Sequence, residues 1–368
     1  MQDNSAPRRA SLILEDGTRF DGYSFGYQRP CAGEVVFNTA MTGYPESLTD
    51  PSYEGQILVT TYPILGNYGV PSADVKSEDS VSDYFESGSI HCEAIICQDY
   101  SWVPSHWQAT RSLSEWLIAE KIPGLYGIDT RALTKHLREK GSMLGKIVME
   151  GGEDIEFQDP NKENLIAKVS TKEVQEFGSG SKRVVLVDCG TKYNIIRCLT
   201  RRGAKVILVP WDYDFNTLEW DGLFISNGPG SPEFAEQTVE HIRKAMETGK
   251  PICGICMGNQ LLSKAAGAKI YKLKYGHRSH NQPVRLAGTE KCFITSQNHG
   301  YVVDGDSVDP AVARVSHVNV NDGTVEGLKY SRPNCFTVQF HPEASPGPED
   351  TEYLFDRFIA SMGGETNA

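Results

Sequence analysis

Apolar residues in the second half of the chain recur in short blocks that alternate with amphipathic stretches. Continuous apolar runs at 184–187, 206–209 and 223–226 predict buried strands, and the stretches between them carry a helical period. A further run at 251–255 leads directly into another helical pattern. Because strands that alternate with helices form βαβ units, we expect an α/β domain whose mainly parallel sheet is flanked by helices.

The first half has a different pattern, with shorter strands and more loops. Residues 11–26 alternate in polarity around two Asp-Gly pairs, which is typical of a hairpin, and apolar runs at 35–37 and 57–59 predict further strands. An amphipathic helix is predicted at 131–140, ending at Gly141. We therefore expect a mixed α/β domain here.

The change of pattern coincides with a change of composition. A polar, charged stretch at 150–176 precedes a Gly-Ser-Gly-Ser run at 178–181, which is typical of a flexible linker. The sequence thus predicts an N-terminal domain at 1–177, a linker at 178–182 and a C-terminal domain at 183–368.

Composition excludes several classes of partner. The 368 residues include 36 Lys and Arg against 48 Asp and Glu, a net charge of −12, which argues against nucleic acid or an anionic membrane surface. No apolar run approaches the roughly 18 residues of a membrane span, and residues 1–10 lack the apolar core of a secretory signal. Nine scattered cysteines indicate reduced thiols, so a cytoplasmic location is expected.

The strongest chemical signal is the pentapeptide Gly-Ile-Cys-Met-Gly at 254–258. A nucleophile on a tight turn from strand to helix has its side chain at the carboxyl edge of the sheet, where open α/β folds bind ligands. The amide dipoles at the start of the helix favour a thiolate at Cys256, and the N–H of Met257 would point at an oxyanion.

Three other interpretations of Cys256 stay open at this point. Cys253 and Cys256 have the C-x-x-C spacing of a redox pair. A zinc site could be formed by Cys253, Cys256, His277 and His280, although their spacing fits no common zinc finger. A buried structural thiol is the third.

Candidate partners for the thiol lie further along the chain. The apolar segment 336–340 ends at His341-Pro342-Glu343, and residues two apart in an extended segment face the same side, so Glu343 can hold one imidazole nitrogen of His341. The turn Asn-Gly-Pro-Gly at 227–230 can supply a second oxyanion donor. No phosphate-binding glycine motif is present, which argues against ATP or NAD chemistry in this chain. We predict no cofactor and no metal in this chain.

Together these elements resemble a class I (triad) glutamine amidotransferase. The segments "GEVVFNTAMTGYPESLTDPSYEGQILVTTYPILGNYG", "IPGLYGIDTRALTKHLREKGSMLGKI" and "YGHRSHNQPV…TSQNHGY" resemble the glutamine-hydrolysing small subunit of carbamoyl-phosphate synthetase. They also resemble the glutaminase region of the multifunctional pyrimidine-pathway enzyme. The resemblance covers about residues 11–362.

The resemblance implies a role for each matching residue. Cys256 would be the nucleophile, His341 the base and later acid, and Glu343 the orienting carboxylate, with oxyanion amides from Gly228 and Met257. L-glutamine would be held by Ser52, Gly228, Gly230, Met257, Gln260, Asn298, Gly300 and Tyr301. Since Ser52 belongs to the first domain, the pocket is expected where the domains meet.

One position departs from the family pattern. The elbow usually has histidine where this chain has Asn259, which puts any titrating role of that position in doubt. Ammonia-dependent relatives carry serine at the nucleophile, whereas this chain carries Cys256. The resemblance therefore implies an enzyme that hydrolyses glutamine and passes ammonia to a synthetase large subunit or domain. That partner would use ATP, Mg²⁺ and bicarbonate to make carbamoyl phosphate for pyrimidine, or arginine, synthesis.

Two alternative functions remain. A cysteine hydrolase of the α/β-hydrolase type shares the pentapeptide, but it requires an acid between nucleophile and histidine in chain order, whereas Glu343 follows His341. A catalytically silent regulatory subunit would not need Cys256, His341 and Glu343 together.

Overall fold

The computed structural model describes residues 7–76 and 81–363. These residues separate into two units, one with 7–75 and 82–163, the other with 76, 81 and 164–363. None of the helices in the described part of the chain has the length and apolar character that crossing a membrane requires.

The first unit is built around a closed sheet. Its strands are β1 (Arg9–Leu14), β2 (Arg19–Ser24), β3 (Cys31–Asn38), β4 (Gln56–Thr60), β5 (Ile64–Leu65), β6 (Ala94–Ile96), β7 (Asp99–Tyr100), β8 (Gly124–Tyr126) and β9 (Met143–Met149). Its helices are α1 (Tyr44–Thr49), α2 (Leu113–Ala119) and α3 (Thr130–Lys140). The strands close into a barrel in the order β1, β2, β8, β6, β4, β3, β9, with parallel pairs from β3 through β4 and β6 to β8.

Local sequence explains several bounds in this unit. The predicted hairpin is the antiparallel pair β1–β2, and Gly17 takes the positive φ of its turn. The second Asp-Gly pair is not a turn, because Gly22 lies inside β2. Helix α3 begins one residue earlier than predicted, where Asp129 accepts a hydrogen bond from Ala132 N at 2.8 Å, and it ends as predicted before Gly141, which has φ 112°.

The second unit is a doubly covered sheet. Its strands are β10 (Gln175–Phe177), β11 (Lys182–Asp188), β12 (Ala204–Pro210), β13 (Gly222–Ile225), β14 (Ile252–Ile255), β15 (Ile270–Leu286), β16 (Cys292–Val303), β17 (Ala313–Asn319), β18 (Val325–Tyr330) and β19 (Cys335–Val338). Its helices are α4 (Leu165–Val169), α5 (Tyr193–Thr200), α6 (Glu236–Met246), α7 (Met257–Ala265) and α8 (Tyr353–Ser361).

The sheet order is β10-β12-β11-β13-β14-β19-β18-β17-β15-β16. Strands β12, β11, β13, β14 and β19 are parallel, and the strands beyond them pair antiparallel. Successive residues of β11 alternate between two buried clusters: Val185 packs on the side of α6 and α7, and Leu186 on the side of α5 and α8. Helices therefore cover both faces, which confirms the predicted α/β class.

The Gly-Ser-Gly-Ser run differs from the linker that its composition predicts. Strands β10 and β11 both pair with β12, so residues 178–181 join two strands of the same sheet. A Cβ on Gly180 would lie only 1.9 Å from the carbonyl oxygen of Gly203, so glycine permits a close backbone approach here. The division between the units lies earlier, between Glu163 and Asn164.

Two glycines bring the start of α7 directly against the sheet. A Cβ on Gly258 would lie 2.2 Å from the carbonyl oxygen of Ile225 in β13, and one on Gly254 would lie 2.6 Å from the carbonyl carbon of Gly258. Between them, Cys256 adopts φ 55° and ψ −102°, a region that residues with a side chain seldom occupy. The sharp turn from β14 to α7 therefore depends on both glycines.

Replacing Gly258 with alanine should destabilise the second unit, because the added methyl group collides with a backbone carbonyl. We expect the free energy of unfolding to fall by about 1–3 kcal/mol, the range typical of an overpacked core, measured as a lower urea midpoint. The control is Gly300→Ala, where the nearest atom to a Cβ is Arg278 Nη2 at 3.5 Å. An unchanged midpoint in Gly258→Ala would contradict this packing.

Candidate active site

The three predicted catalytic segments meet at one edge of the sheet. Strand β14 lies between β13 and β19, and all three run parallel. The Asn-Gly-Pro-Gly turn at 227–230 follows β13, Cys256 follows β14, and the 341–343 segment follows β19. Because the carboxyl ends of parallel neighbours share an edge, the fold brings these segments together where open α/β folds bind ligands.

Cys256 contacts two backbone carbonyl groups. Its N–H donates to Val338 O at 2.9 Å, and its buried Sγ lies 3.7 Å from the carbonyl oxygen of Asn298. Met257 is the first residue of α7, so its N–H is among those that a helix leaves without an intrahelical acceptor. The oxyanion role of this N–H stays a prediction.

His341 and Glu343 form the predicted pair. The imidazole Nδ1 lies 2.6 Å from Glu343 Oε1, and both side chains are buried. Burial opposes the charged imidazole, but attraction to the Glu343 carboxylate and to the Cys256 sulfur raises the pKa of His341 above its usual value. Nε2 is buried without a partner among the described residues, which leaves it available to the thiol and to substrate.

The segment around His341 is not the continuous strand that its apolar residues predict. Strand β19 ends at Val338, and His341 instead makes an isolated bridge to Ser296, with its N–H donating to Ser296 O at 2.9 Å. The bridge connects the histidine to β16, the strand that also carries Asn298.

Lys192 completes the charge arrangement, and the sequence analysis missed it. Its Nζ lies 3.3 Å from Glu343 Oε1 and also donates to Ala344 O, while its main-chain N–H donates to Asn227 Oδ1 at 3.2 Å. Burial alone would raise the pKa of Glu343, but attraction to His341 and Lys192 lowers it below its usual value. The available signal was a lysine just beyond the carboxyl end of β11.

A second histidine lies near these charges. His280 is half-buried, and desolvation, together with the positive charges of Lys192 and His341, lowers its pKa to about 4. It is therefore neutral at pH 7 and adds no charge to the site.

The Asn-Gly-Pro-Gly turn packs tightly against its neighbours. A Cβ on Gly228 would lie 2.0 Å from Cys189 O, and Gly230 has φ 76°. The N–H of Gly258 donates to Ser226 O at 2.9 Å, which connects this turn to the start of α7. The oxyanion role of Gly228 stays a prediction.

Two of the predicted glutamine-binding residues of the second unit, Gln260 and Tyr301, are connected by a hydrogen bond. Gln260 Nε2 donates to Tyr301 O at 2.9 Å and lies 3.4 Å from Gln339 Oε1, so α7 holds the stretch of β16 that contains Asn298, Gly300 and Tyr301. Ser52 lies in the first unit, in a short 3₁₀ turn at Pro51–Tyr53, with its N–H donating to Asp50 Oδ1 at 2.9 Å. Its part in a pocket stays a prediction.

Asn259, the departure from the family pattern, is fully buried and satisfied by neutral partners. Its Nδ2 donates to Gln339 Oε1 at 3.0 Å, and its Oδ1 accepts from Thr337 Oγ1 at 2.6 Å. The side chain thus connects α7 to β19 and the segment that follows it without carrying charge.

The other interpretations of the cysteines find little support. Cys253 and Cys256 are free thiols, and burial raises the pKa of Cys253 well above its usual value. The described residues bring His277 to within metal-ligand distance of His299 and Glu326 rather than of the two cysteines.

Comparison with known proteins identifies both halves of the chain. Residues 185–361 match the family model of class-I glutamine amidotransferases, and residues 12–147 match that of the carbamoyl-phosphate synthase small chain, CPSase domain. The chain is 51% identical over 354 residues to human mitochondrial carbamoyl-phosphate synthase [ammonia], covering 95% of this chain and 23% of that protein.

Two multifunctional proteins are similarly close. The multifunctional protein CAD of Squalus acanthias is 51% identical, covering 95% of this chain and 16% of that protein. The multifunctional protein pyr1-3 of Dictyostelium discoideum is 48% identical, covering 97% of this chain and 17% of that protein. The chain therefore spans less than a quarter of the length of these relatives. Matches along both halves show that it belongs to the carbamoyl-phosphate synthase small-chain family, with a class-I glutamine amidotransferase domain as its second half.

Proposed function

We propose that this chain hydrolyses L-glutamine through Cys256, His341 and Glu343 and delivers ammonia to a carbamoyl-phosphate synthetase large subunit or domain. The observation that carries the proposal is the buried pair of His341 Nδ1 and Glu343 Oε1, 2.6 Å apart, whose other ring nitrogen is left for the thiol of Cys256. A thiol, an imidazole and an orienting carboxylate are the elements of an activated nucleophile.

The reaction begins with attack of the Cys256 thiolate on the side-chain carboxamide carbon of glutamine. The carbonyl electrons move to oxygen, and the N–H groups of Gly228 and Met257 stabilise that oxyanion. The imidazolium of His341 then gives its proton to the departing ammonia, which leaves a glutamyl thioester. Neutral His341 next takes a proton from water, whose hydroxide attacks the thioester, and glutamate is released as the thiolate re-forms.

The electrostatic arrangement supports this cycle. The raised pKa of His341 favours the imidazolium, the form that pairs with a thiolate and protonates the leaving group. Glu343 stays ionised because His341 and Lys192 both attract it, so it orients the imidazole without competing for the proton.

One relative is named carbamoyl-phosphate synthase [ammonia], and this name suggests a second candidate function. In that case the chain would bind its partner without hydrolysing glutamine. That relative's name describes that protein only. The presence of Cys256 on a strained elbow beside His341 favours hydrolysis for this chain.

The proposal also includes the use of the product, the cofactors and the location of the protein. Carbamoyl phosphate made by the partner, with ATP, Mg²⁺ and bicarbonate bound there, would supply pyrimidine, or arginine, synthesis, and the two multifunctional relatives favour the first. This chain itself would need no cofactor. A cytoplasmic location is supported by nine free cysteines.

Replacing Cys256 with alanine should abolish glutamine hydrolysis while the complex with the cognate synthetase still makes carbamoyl phosphate from added ammonia. The physical reason is that the sulfur is the reactant, whereas the partner's chemistry needs only ammonia. Both activities are measured on the same preparation, and Cys253→Ala is the matched control because that thiol lies in the core three residues away. Glutamine hydrolysis that survives in Cys256→Ala would exclude the cysteine as nucleophile.

Replacing His341 with asparagine should lower kcat by about 10²–10⁴-fold, the usual contribution of a general acid and base, and Glu343→Gln should lower it much less. Because the carboxylate raises the pKa of His341, its loss should also shift the limb of the pH–rate profile that reports His341 to lower pH. Steady-state ammonia release between pH 5 and pH 10 measures both effects. Equal losses in the two variants, with an unshifted profile in Glu343→Gln, would overturn the assigned roles.

A further inference from the structure

One stretch of β16, residues 296–301, contacts the proposed catalytic set. The carbonyl oxygen of Ser296 accepts from the N–H of His341 at 2.9 Å, and that of Asn298 lies 3.7 Å from the Sγ of Cys256. Three residues of the stretch are also predicted to hold glutamine: Asn298, Gly300 and Tyr301. The position of this stretch therefore matters both for the catalytic groups and for the proposed substrate.

Backbone pairing holds this stretch through few residues. Strand β16 is the last in the sheet order and pairs along its length with β15. The register shifts on both sides of a run of three pairs, in which residues 277–279 lie opposite residues 297–299. A register shift interrupts the ladder of hydrogen bonds and bends the strand. Side-chain contacts to other strands are therefore needed to fix the stretch.

His277 on β15 supplies such a contact. Its Nδ1 lies 3.0 Å from Gln297 Oε1 on β16 and 3.5 Å from Glu326 Oε1 on β18, and its Nε2 lies 2.7 Å from Asp322 Oδ2 in the turn between β17 and β18. Asn319 Nδ2, 3.4 Å from His277 Nδ1, donates to Glu326 Oε1 at 3.1 Å. One buried ring thus connects β16 to the strands on the other side of β15.

The orientation of the Gln297 amide decides which groups donate. Thr295 Oγ1 donates to Gln282 O at 2.9 Å and accepts from Gln297 Nε2 at 3.2 Å. Gln297 therefore presents its oxygen to His277 Nδ1. Because a carboxylate oxygen of Asp322 faces Nε2, both ring nitrogens face acceptors and both donate.

The charge that two protons give the ring is paired. Burial opposes the charged ring, but hydrogen bonds to Asp322 and Glu326, together with their negative charges, raise the pKa of His277 to about 9. Burial also opposes the charged form of Asp322, but hydrogen bonds from His277 and Thr324 lower the pKa of that carboxyl to about 2. At pH 7 the ring is therefore an imidazolium next to a carboxylate.

His299, the neighbouring histidine, does not make the same connection. Burial and the positive charge of His277 lower its pKa well below its usual value, so its ring is neutral. Its nitrogens lie 3.2 Å from Gln297 Oε1 and 3.1 Å from Tyr301 O, and both acceptors belong to β16 itself. Of the two rings, His277 is therefore the one whose hydrogen bonds connect β16 to other strands.

We propose that His277 is a positioning residue for glutamine, which holds the 296–301 stretch of β16 by donating a hydrogen bond to Gln297. This role rests on the proposed glutamine hydrolysis and is exerted through β16 instead of by contact with the substrate. A misplacement of about 1 Å can cost roughly 10²-fold in rate. Cys256 and His341 have contacts of their own, to Val338 O and to the Glu343 carboxylate, so the effect should fall mainly on KM.

Two amide substitutions test the role because each keeps a different hydrogen bond of the ring. The side-chain nitrogen of asparagine takes roughly the position of Nδ1, and that of glutamine roughly the position of Nε2. His277→Asn should therefore keep the donor to Gln297, whereas His277→Gln should lose it. With the cognate synthetase present, we expect His277→Gln to raise KM for glutamine at least about tenfold and to change kcat less than about threefold. His277→Asn, the matched control, should change neither constant by more than about threefold.

Equal KM values in the two variants would overturn the positioning role, whether both rise or neither does. Gln297→Met removes the acceptor from the other side of the contact and should match His277→Gln, and the double variant should lose no more than either single variant. Additive losses would contradict the contact. A wild-type complex that releases no more ammonia from glutamine than Cys256→Ala would instead overturn the proposed function.

A measurement on the wild-type chain decides the question if a variant fails to fold. Nuclear magnetic resonance of ¹⁵N-labelled histidine shows which ring nitrogens carry protons, and the His277 signals are assigned by their shift in Asp322→Asn, a change at an exposed turn position. We expect protons on both nitrogens at pH 7. A His277 ring without a proton on Nδ1 would overturn the proposed donation to Gln297, and this result does not depend on glutamine turnover.

Discussion

The close approach of α7 to the sheet is the constraint on which the rest of the site depends. Gly254 and Gly258 leave no room for a Cβ, and the chain between them turns so sharply that Cys256 takes a positive φ. Such a conformation costs on the order of 1–3 kcal/mol and persists only where its surroundings hold it. Here hydrogen bonds to Val338 O on one neighbouring strand and Ser226 O beyond the other hold it, so the sulfur is fixed at the carboxyl edge.

A second constraint is the balance of buried charge next to that sulfur. One carboxylate, Glu343, faces two cationic groups, Lys192 and the imidazole of His341. Buried charges are tolerated when each is paired, and a thiolate at Cys256 would balance the second cation. Asn259 adds no charge to this arrangement, and its amide is held by the neutral side chains of Gln339 and Thr337.

Local patterns were enough to predict much of this fold and the three segments that meet at one edge of its sheet. Apolar runs and helical periods indicated β11 to β14 and α3, and the elbow, the turn at 227–230 and the His341–Glu343 spacing indicated chemistry that the fold brings to one edge. Features that depend on packing were missed. The Gly-Ser run packs closely against the backbone of Gly203 and is not a linker between the units. Strand β19 ends before His341, and His341 pairs with Ser296 instead. Lys192 was missed although it follows a predicted strand, since only the order of the strands in the sheet brings it next to Glu343.

The central claim is that Cys256 forms a covalent bond with the substrate, and acid-quenched turnover tests it most directly. The protein is mixed with glutamine carrying radiolabelled carbon, quenched within the first turnovers, digested at low pH, and the labelled peptide is identified by mass spectrometry. The account predicts a glutamyl adduct on the peptide that contains Cys256, released by mild base as expected for a thioester. Ammonia release with no label on that peptide, or with label on another residue, would contradict it.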